Sequence, residues 1–204
     1  MSKILHQVWI QGGDELPDEY IKSRSKWREA LPDDWEMVLW DNDMARDKWH
    51  DYKEVEASCS SHAMRGDLIL ARALRDYGGL ACGADVIPNN IPDLLNFISC
   101  TDTMLVTNPK GKACSNGITW FRDTEHEFCS CVCRYQLLYR DKLPTGSVWH
   151  LTGPGAWWGA LAAGQWNMTM VTDRKAFTHL CRDKGKEASN PEGWVNPVYA
   201  GSWH

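Results

Sequence analysis

Apolar residues between positions 63 and 77 recur with the period of a helix. The larger ones fall three or four residues apart and form one stripe: Met64, Leu68, Ala71 and Leu74. The pair Gly78-Gly79 ends this pattern, because glycine adopts the left-handed cap conformation at no steric cost. The spacing therefore predicts a helix that stops abruptly at the glycine pair.

The next segment, residues 80–86, has the pattern of a buried strand. It is short, it carries no charge before Asp85, and Pro88 closes it. We expect the helix to turn tightly into this strand, with the Asp85 carboxylate at the strand's carboxyl end. Ligands collect at that end of open α/β sheets, so Asp85 is the first candidate site residue.

Strand-like and helix-like patterns also recur through the rest of the chain. Strands are predicted at residues 3–10, 36–40, 104–107, 117–121 and 168–172. Helices are predicted at residues 19–31 and 125–140, from Pro154 onwards, and over a short part of 43–61. Residues 190–204 show neither period and are expected to form a loop. With 204 residues and no internal repeat or linker, we expect one α/β domain over residues 1–204.

Composition narrows the possible partners and the compartment. The net charge of -5 gives no global basic field that would favour nucleic acid or an acidic membrane, although a local basic patch stays open. No stretch approaches the ~20 apolar residues of a transmembrane helix, and the first ten residues lack the length and cleavage site of a signal peptide. We therefore expect no membrane span and a cytoplasmic protein with reduced thiols.

The chain is rich in cysteine and tryptophan, with 8 and 12 residues respectively. The cluster Cys129, Cys131 and Cys133 alternates and lacks the C-x-x-C pairs of zinc sites, so incidental thiols are the preferred interpretation and metal binding the weaker alternative. Tryptophan stacks on planar ligands and sugar faces as well as filling cores. A carbohydrate or nucleotide site would use some of these rings, and the core would use the others.

Several short motifs resemble the DXD-motif glycosyltransferases, the family of yeast-type mannosyltransferases and glucosylating clostridial toxins. In chain order they are His6-Gln7-Val8-Trp9, Asp67, Gly78-Gly79, Asp85, Thr152-Gly153-Pro154 and Gly201-Ser202-Trp203. The resemblance implies a GT-A-type, Rossmann-like domain with a mixed central sheet flanked by helices. It also implies transfer of a hexose from a nucleotide-diphosphate sugar, a UDP-sugar by preference, with retention at the anomeric carbon.

The resemblance also assigns roles to residues. Asp67 and Asp85 are the catalytic residues, and Asp85 and Ser202 hold the metal, Mn²⁺ or Mg²⁺, which neutralises a departing diphosphate. Donor binding falls to Val8, Trp9, Asp67, Gly79 and Trp203. The acceptor stays open among a saccharide, a protein and a modified nucleic acid.

The residues themselves leave alternatives for two of these positions and suggest two further candidates. Core packing is the alternative for Trp9, and helix capping is the alternative for Asp67. The acidic end of the second predicted strand, Asp41-Asn42-Asp43, suits a ribose or metal site or a plain turn. Pro154 suits a first helical position, where exposed amides favour an anion or a hydroxyl group.

Four positions depart from the family pattern. They are Gly66 in place of Ser, Leu70 in place of Arg, Ala81 in place of Tyr, and Gly83 in place of the first Asp of DXD. A guanidinium gives planar two-point contact to oxygen groups, so its loss at Leu70 weakens the expected grip on the sugar. Arg65 or Arg72 can replace it, although Arg72 points to a different helix face from Leu70.

Two alternative functions stay open, the first supported by these departures and the second allowed by the small size of the chain but not favoured by its acidic balance. The first is a degenerate sugar-nucleotide-binding protein that no longer transfers, which donor hydrolysis or transfer assays would separate from an enzyme. The second is a viral-type glycosyltransferase that acts on modified DNA bases, which salt-sensitive retention on a DNA column would support.

Overall fold

The computed structural model describes residues 3–10, 16–107, 114–177, 179–182, 186–189 and 191–197. The helices are α1 Asp18–Ala30, α2 Asn42–Lys48, α3 Tyr52–Ser58, α4 His62–Tyr77, α5 Ile91–Ser99, α6 Glu127–Leu138, α7 Val148–Leu151, α8 Pro154–Ala162 and α9 Asp173–Ala176. The strands are β1 Ile4–Val8, β2 Glu36–Trp40, β3 Gly79–Cys82, β4 Val86–Pro88, β5 Thr103–Thr107, β6 Cys114–Phe121, β7 Met170–Thr172, β8 His179–Arg182, β9 Lys186–Ser189 and β10 Val195–Pro197.

A six-stranded sheet in the order β2-β1-β3-β6-β5-β7 forms the centre of the fold. Strand β1 pairs in parallel with both β2 and β3. Strand β6 runs antiparallel to β3 and to β5, and β7 pairs in parallel with β5. The sheet is therefore mixed, and the predicted α/β class with a mixed central sheet is confirmed.

Helices cover both faces of this sheet. On one face the core contains Trp27 of α1, Ile98 of α5 and the strand residues Leu5, Leu80, Met104 and Trp120. On the other face it contains Leu74 of α4, Val132 of α6, Trp157 of α8 and the strand residues Ala81, Leu105 and Phe121. Because successive strand residues point to opposite faces, the apolar runs of β3 and β5 supply both cores. The thiols of Cys129 and Cys133 are buried on the α6 side.

The turn from α4 into β3 is held against β1. The predicted helix is confirmed, with Ser61 capping its start and a positive φ of 63° at Gly78 at its end. Gly79 has a φ of 92°, and a Cβ there would lie 2.6 Å from the Ile4 carbonyl oxygen. Glycine at position 79 therefore permits β3 to approach β1 closely.

His6 locks the same turn from inside the core. Trp40 Nε1 donates to His6 Nδ1 at 3.1 Å, so Nε2 carries the proton and donates to the Gly78 carbonyl at 2.9 Å. Burial lowers the pKa of His6 to about 4, although the hydrogen bond to Gly78 has the opposite effect and raises it. His6 is therefore a neutral core residue that ties β1 to the glycine pair.

Two sequence-based predictions about strands are wrong. Residues 80–86 do not form one strand, because β3 ends at Cys82 and the chain turns through 83–85, where the Val86 amide donates to the Gly83 carbonyl at 3.1 Å. Strand β4 then pairs antiparallel with β10 in a separate sheet. Strand β10 lies inside the segment expected to be a loop, and three residues are too few to show an alternating pattern.

Smaller differences concern element boundaries and short elements. The segment 43–61 contains two helices rather than one, and the hairpin of β8 and β9 was not predicted. Asp41 caps α2, since its carboxylate accepts a hydrogen bond from the Met44 amide at 2.7 Å, which supports the turn interpretation of the acidic strand end. Among the described residues no helix is long and apolar enough to cross a membrane.

Candidate functional site

An open cavity lies where β1 and β3 end, on the side of the sheet edge from which α4 begins. It encloses about 610 Å³ of empty space, part of it open to solvent. The lining residues are Val8, Trp9, Ile10, Tyr20, His62, Ala63, Gly66, Asp67, Leu70, Gly83, Ala84 and Asp85. The structure thus brings together four of the predicted site residues, Val8, Trp9, Asp67 and Asp85, from three separate parts of the chain.

Asp85 lies in the turn that follows β3 and is partly exposed to the cavity. Burial raises the pKa of its carboxyl group, its own backbone amide opposes that rise, and the negative charge of Glu19 adds to it. Within the described part of the chain no side chain donates a hydrogen bond to this carboxylate and no cation pairs with it. As far as the described residues go, its oxygens are therefore open to a ligand or a cation.

Asp67 projects from α4 toward the same cavity but is almost completely buried, with 5% of its surface exposed. Asn116 of β6 donates to one carboxylate oxygen at 2.6 Å, and the Thr152 hydroxyl lies 3.0 Å from the other. Burial raises the pKa of Asp67 to about 7, although both hydrogen bonds oppose the rise. Since Ser61 caps α4, the helix-capping alternative for Asp67 is wrong.

Thr152, from the predicted Thr-Gly-Pro motif, is the buried partner of Asp67. Its hydroxyl has a single proton and two acceptors within reach, Asp67 Oδ2 at 3.0 Å and the Val148 carbonyl at 3.2 Å. An ionised Asp67 would accept that proton, whereas a protonated Asp67 could donate to Thr152 and leave Thr152 to donate to Val148. Gln136 Nε2 holds the Thr152 carbonyl at 2.9 Å. The motif therefore positions a catalytic candidate, and it follows the short helix α7 rather than a strand.

Trp9 and Tyr20 form the aromatic wall of the cavity. Their ring centroids lie 4.5 Å apart with the planes at 49°. Trp9 is partly exposed, and its buried Nε1 has no acceptor among the described residues. A partly exposed ring beside a cavity suits stacking on a flat ligand, so its position is compatible with the predicted role in base binding.

The basic residues considered as replacements at Leu70 are engaged elsewhere. Arg72 makes two hydrogen bonds to the Asp51 carboxylate at 2.7 and 2.8 Å. Arg65 lies 3.7 Å from Glu56. Leu70 itself lines the cavity, so the wall beside Asp67 is apolar at the position where the family has a guanidinium.

Other predicted residues lie away from the cavity or outside the described residues. Gly79 starts β3, at the opposite end of the strand from the cavity, and packs against Ile4. Its assignment to donor binding is therefore not supported by its position. Ala81 is buried in the core on the sheet face that α4, α6 and α8 cover. Ser202 and Trp203 lie outside the described residues.

Sequence reasoning missed two residues of this site. Tyr20 lies within the predicted helix 19–31, and no signal in the sequence distinguished it from a core residue. Asn116 precedes the predicted strand 117–121, and its contact with Asp67 spans 49 positions. Local patterns carry no information on such a contact. Thr152, the other partner of Asp67, was singled out in the sequence only because it belongs to a motif.

Comparisons with known proteins give a match for the fold of the chain but none for its sequence. No protein-family model matches the sequence, and no curated protein matches it. Among solved structures the chain is similar to the PaToxG glycosyltransferase, with a TM-score of 0.60 and 14% identity over 79% of this chain and 69% of that chain. The chain therefore has a glycosyltransferase-like fold, consistent with the GT-A type.

Proposed function

We propose that the protein is a metal-dependent glycosyltransferase that moves a hexose from a nucleotide-diphosphate sugar, a UDP-sugar by preference, to an acceptor. In this proposal Trp9, beside Val8, binds the base and Asp67 binds the sugar. Asp85 holds Mn²⁺ or Mg²⁺, with Ser202 as a second ligand and Trp203 over the donor, as the family resemblance implies. Retention at the anomeric carbon rests on that resemblance as well.

The charge of the cavity is the observation that carries this proposal. Its described lining contains two carboxylates, Asp67 and Asp85, and the imidazole of His62, but neither lysine nor arginine. A diphosphate placed beside Asp85 would be repelled, because like charges at close range oppose each other. A divalent cation between them turns the repulsion into attraction, so the site suits a diphosphate when a cation is present.

The available donor atoms fit such a cation. Asp85 has no side-chain partner among the described residues, and carboxylate oxygen is what Mg²⁺ and Mn²⁺ prefer. The described residues contain no group of three or more His, Cys, Asp or Glu side chains that could hold a metal. Phosphate oxygens would therefore complete the coordination, and the bound ion would supply Lewis-acid neutralisation of the departing diphosphate.

Asp67 suits a different task from Asp85. With both carboxylate oxygens already in hydrogen bonds, it is held in one orientation at the wall of the cavity. A carboxylate oxygen can accept more than one hydrogen bond, so a sugar hydroxyl can be added to the pair that is present. Fixed polar groups of this kind position a substrate for reaction.

The test is calorimetry of UDP binding with and without Mn²⁺. We expect UDP to bind measurably with Mn²⁺ and poorly without it. Asp85→Asn should weaken the Mn²⁺-dependent binding at least about tenfold, as loss of metal support does elsewhere. Asp41→Asn is the matched control, because Asp41 caps α2 outside the cavity and asparagine also caps helices. Unchanged Mn²⁺-dependent binding in Asp85→Asn would refute the metal role, and turnover of a UDP-sugar tests transfer.

One observation favours the second candidate, a sugar-nucleotide-binding protein without transfer activity. Leu70 lines the cavity, and both nearby arginines that could replace the family guanidinium are engaged with other carboxylates. Binding of UDP with Mn²⁺, combined with neither hydrolysis nor transfer of any UDP-hexose, would favour this candidate over the enzyme.

A further inference from the structure

Tyr20 is a polar side chain of the cavity that has no assigned task. Tyr20 lies in the first turn of α1, where its amide donates to the Pro17 carbonyl at 2.9 Å. The residue is 6% exposed and lines the cavity. Among the described residues its hydroxyl has no hydrogen-bond partner. A hydroxyl group beside a cavity, with no described protein partner, can donate to or accept from a polar group of a ligand.

Tyr20 is adjacent to the two residues that the proposed function uses at opposite ends of a nucleotide. Its ring lies 4.5 Å from the ring of Trp9, centroid to centroid. Tyr20 and Asp85 line the same cavity. Burial raises the pKa of the Tyr20 hydroxyl, and the charges of Asp85 and then Glu19 raise it further. Tyr20 thus joins the base end of the cavity to its acidic end.

A nucleoside diphosphate has its ribose between the base and the phosphates. With a base on Trp9 and phosphates on a cation at Asp85, the ribose has to pass Tyr20. The turn after β3 offers little to the ribose, because Gly83 has no side chain and the Asp85 carboxylate oxygen lies 2.5 Å from where a Cβ would be. The facing helix, α1, is left to supply a polar contact.

We propose that Tyr20 is a further donor-binding residue, whose hydroxyl forms a hydrogen bond with a ribose hydroxyl of the nucleotide. This inference rests on the proposed function, since it takes the base and the diphosphate to lie at Trp9 and Asp85. It predicts that the site distinguishes ribose from deoxyribose and that Tyr20 is a source of the distinction.

The experiment is a thermodynamic double-mutant cycle, measured by calorimetry with Mn²⁺. One change is Tyr20→Phe in the protein, and the other is removal of a ribose hydroxyl from UDP. Wild type and variant are each titrated with UDP, 2′-deoxy-UDP and 3′-deoxy-UDP. We expect Tyr20→Phe to weaken UDP binding roughly fivefold, in line with the net value of one hydrogen bond. One deoxy analogue should show the same loss with wild type and no further loss with the variant. Equal affinity of wild type and variant for UDP, or losses that simply add for both analogues, would overturn the inference.

Tyr52→Phe is the matched control. Tyr52 is fully buried outside the cavity, and its hydroxyl donates to Asn42 at 3.0 Å. We expect Tyr52→Phe to lower the melting temperature without changing UDP affinity, and Tyr20→Phe to leave the melting temperature of the ligand-free protein unchanged. If neither UDP nor GDP binds wild type with Mn²⁺, the proposed function fails and takes the inference with it. Binding of UDP that is indifferent to Tyr20 overturns the inference alone.

Discussion

Two carboxylates line the same cavity, and their surroundings differ in almost every respect. Asp67 is nearly enclosed, and each of its oxygens has a hydrogen-bond partner. Asp85 is partly exposed, and no described side chain donates to it. Burial raises the pKa of both groups, to about 7 for Asp67. Asp67 has a fixed orientation and a pKa near neutral pH, and the oxygens of Asp85 have no side-chain partner among the described residues.

This difference separates two chemical tasks within one small site. Free carboxylate oxygens suit a divalent cation, which needs lone pairs that are not already engaged. An enclosed and oriented carboxylate suits a hydroxyl group, because its geometry is set before the ligand arrives. The energetic consequence is that Asp67 lowers the stability of the fold at neutral pH, as functional groups held in poor solvent often do. Three predictions test this comparison.

Asp67→Asn should produce the largest effect, a gain in stability. The folded-state pKa of about 7 lies above the ordinary 3.8, so the contribution of Asp67 to stability is complete below pH 3.8 and is lost as the pH rises through 7. At pH 8 the ionised carboxylate therefore costs about 4 kcal/mol of folding free energy. Asparagine keeps the shape, accepts from Asn116 and donates to Thr152. Urea denaturation should show a gain of about this size at pH 8 and little gain at pH 4.

Asp85→Asn is the internal comparison for this measurement. Its carboxylate is less buried, so its replacement should raise the free energy of unfolding at pH 8 by less than Asp67→Asn does. An equal or larger gain at Asp85, or a gain at Asp67 that persists unchanged at pH 4, would contradict the difference between the two groups.

Much of the fold around these carboxylates could be predicted from local pattern. The stripe of α4 and the stop at Gly78-Gly79 predicted one helix and its end, and β2 was predicted with its observed bounds. The break after Cys82 was not predicted, because an uncharged run does not reveal where a strand leaves its sheet. The pairing of β4 with β10 depends on residues about 110 positions apart, which no local period records.

Motif order predicted which residues would lie together in the candidate site, but not the tertiary contacts that hold them there. Asp67, Asp85 and Trp9 were placed by motif order, and the structure brings them into one cavity. The partners of Asp67 could not be assigned, since β6 and the junction of α7 with α8 reach it only through the fold. Gly79 was assigned to donor binding because it belongs to a motif. In this chain its position instead permits close packing of β3 against β1.

Thr152→Val should have an intermediate effect and should depend on pH. Valine removes the hydroxyl group next to Asp67 with little change in shape. A hydrogen bond to a charged group is worth about 1.5–3 kcal/mol, so we expect a loss of about 2 kcal/mol at pH 8, where Asp67 is ionised. The pKa of Asp67, followed by carbon NMR of its carboxyl group, should rise further, because the Thr152 bond lowers it. Thr152→Ser restores the hydroxyl and should return both values toward wild type. A serine variant as unstable as the valine variant would show that packing, not the hydrogen bond, is what matters.

Gly83→Ala should have the smallest effect, and it probes the free carboxylate without changing any charge. A Cβ at position 83 would lie 2.5 Å from Asp85 Oδ1, so the Asp85 side chain has to leave its present rotamer. Such a change costs about 0.5–1.5 kcal/mol, and we expect a roughly fivefold loss in Mn²⁺-dependent UDP affinity. Gly66→Ala is the matched control in the same cavity, because its Cβ would meet Val8 at an ordinary 3.6 Å. It should leave the affinity unchanged and stabilise α4 slightly, since alanine is the better helix former. If both alanines weaken UDP binding equally, crowding of the cavity explains the loss, and if neither does, the present orientation of Asp85 is not the one that binds the cation.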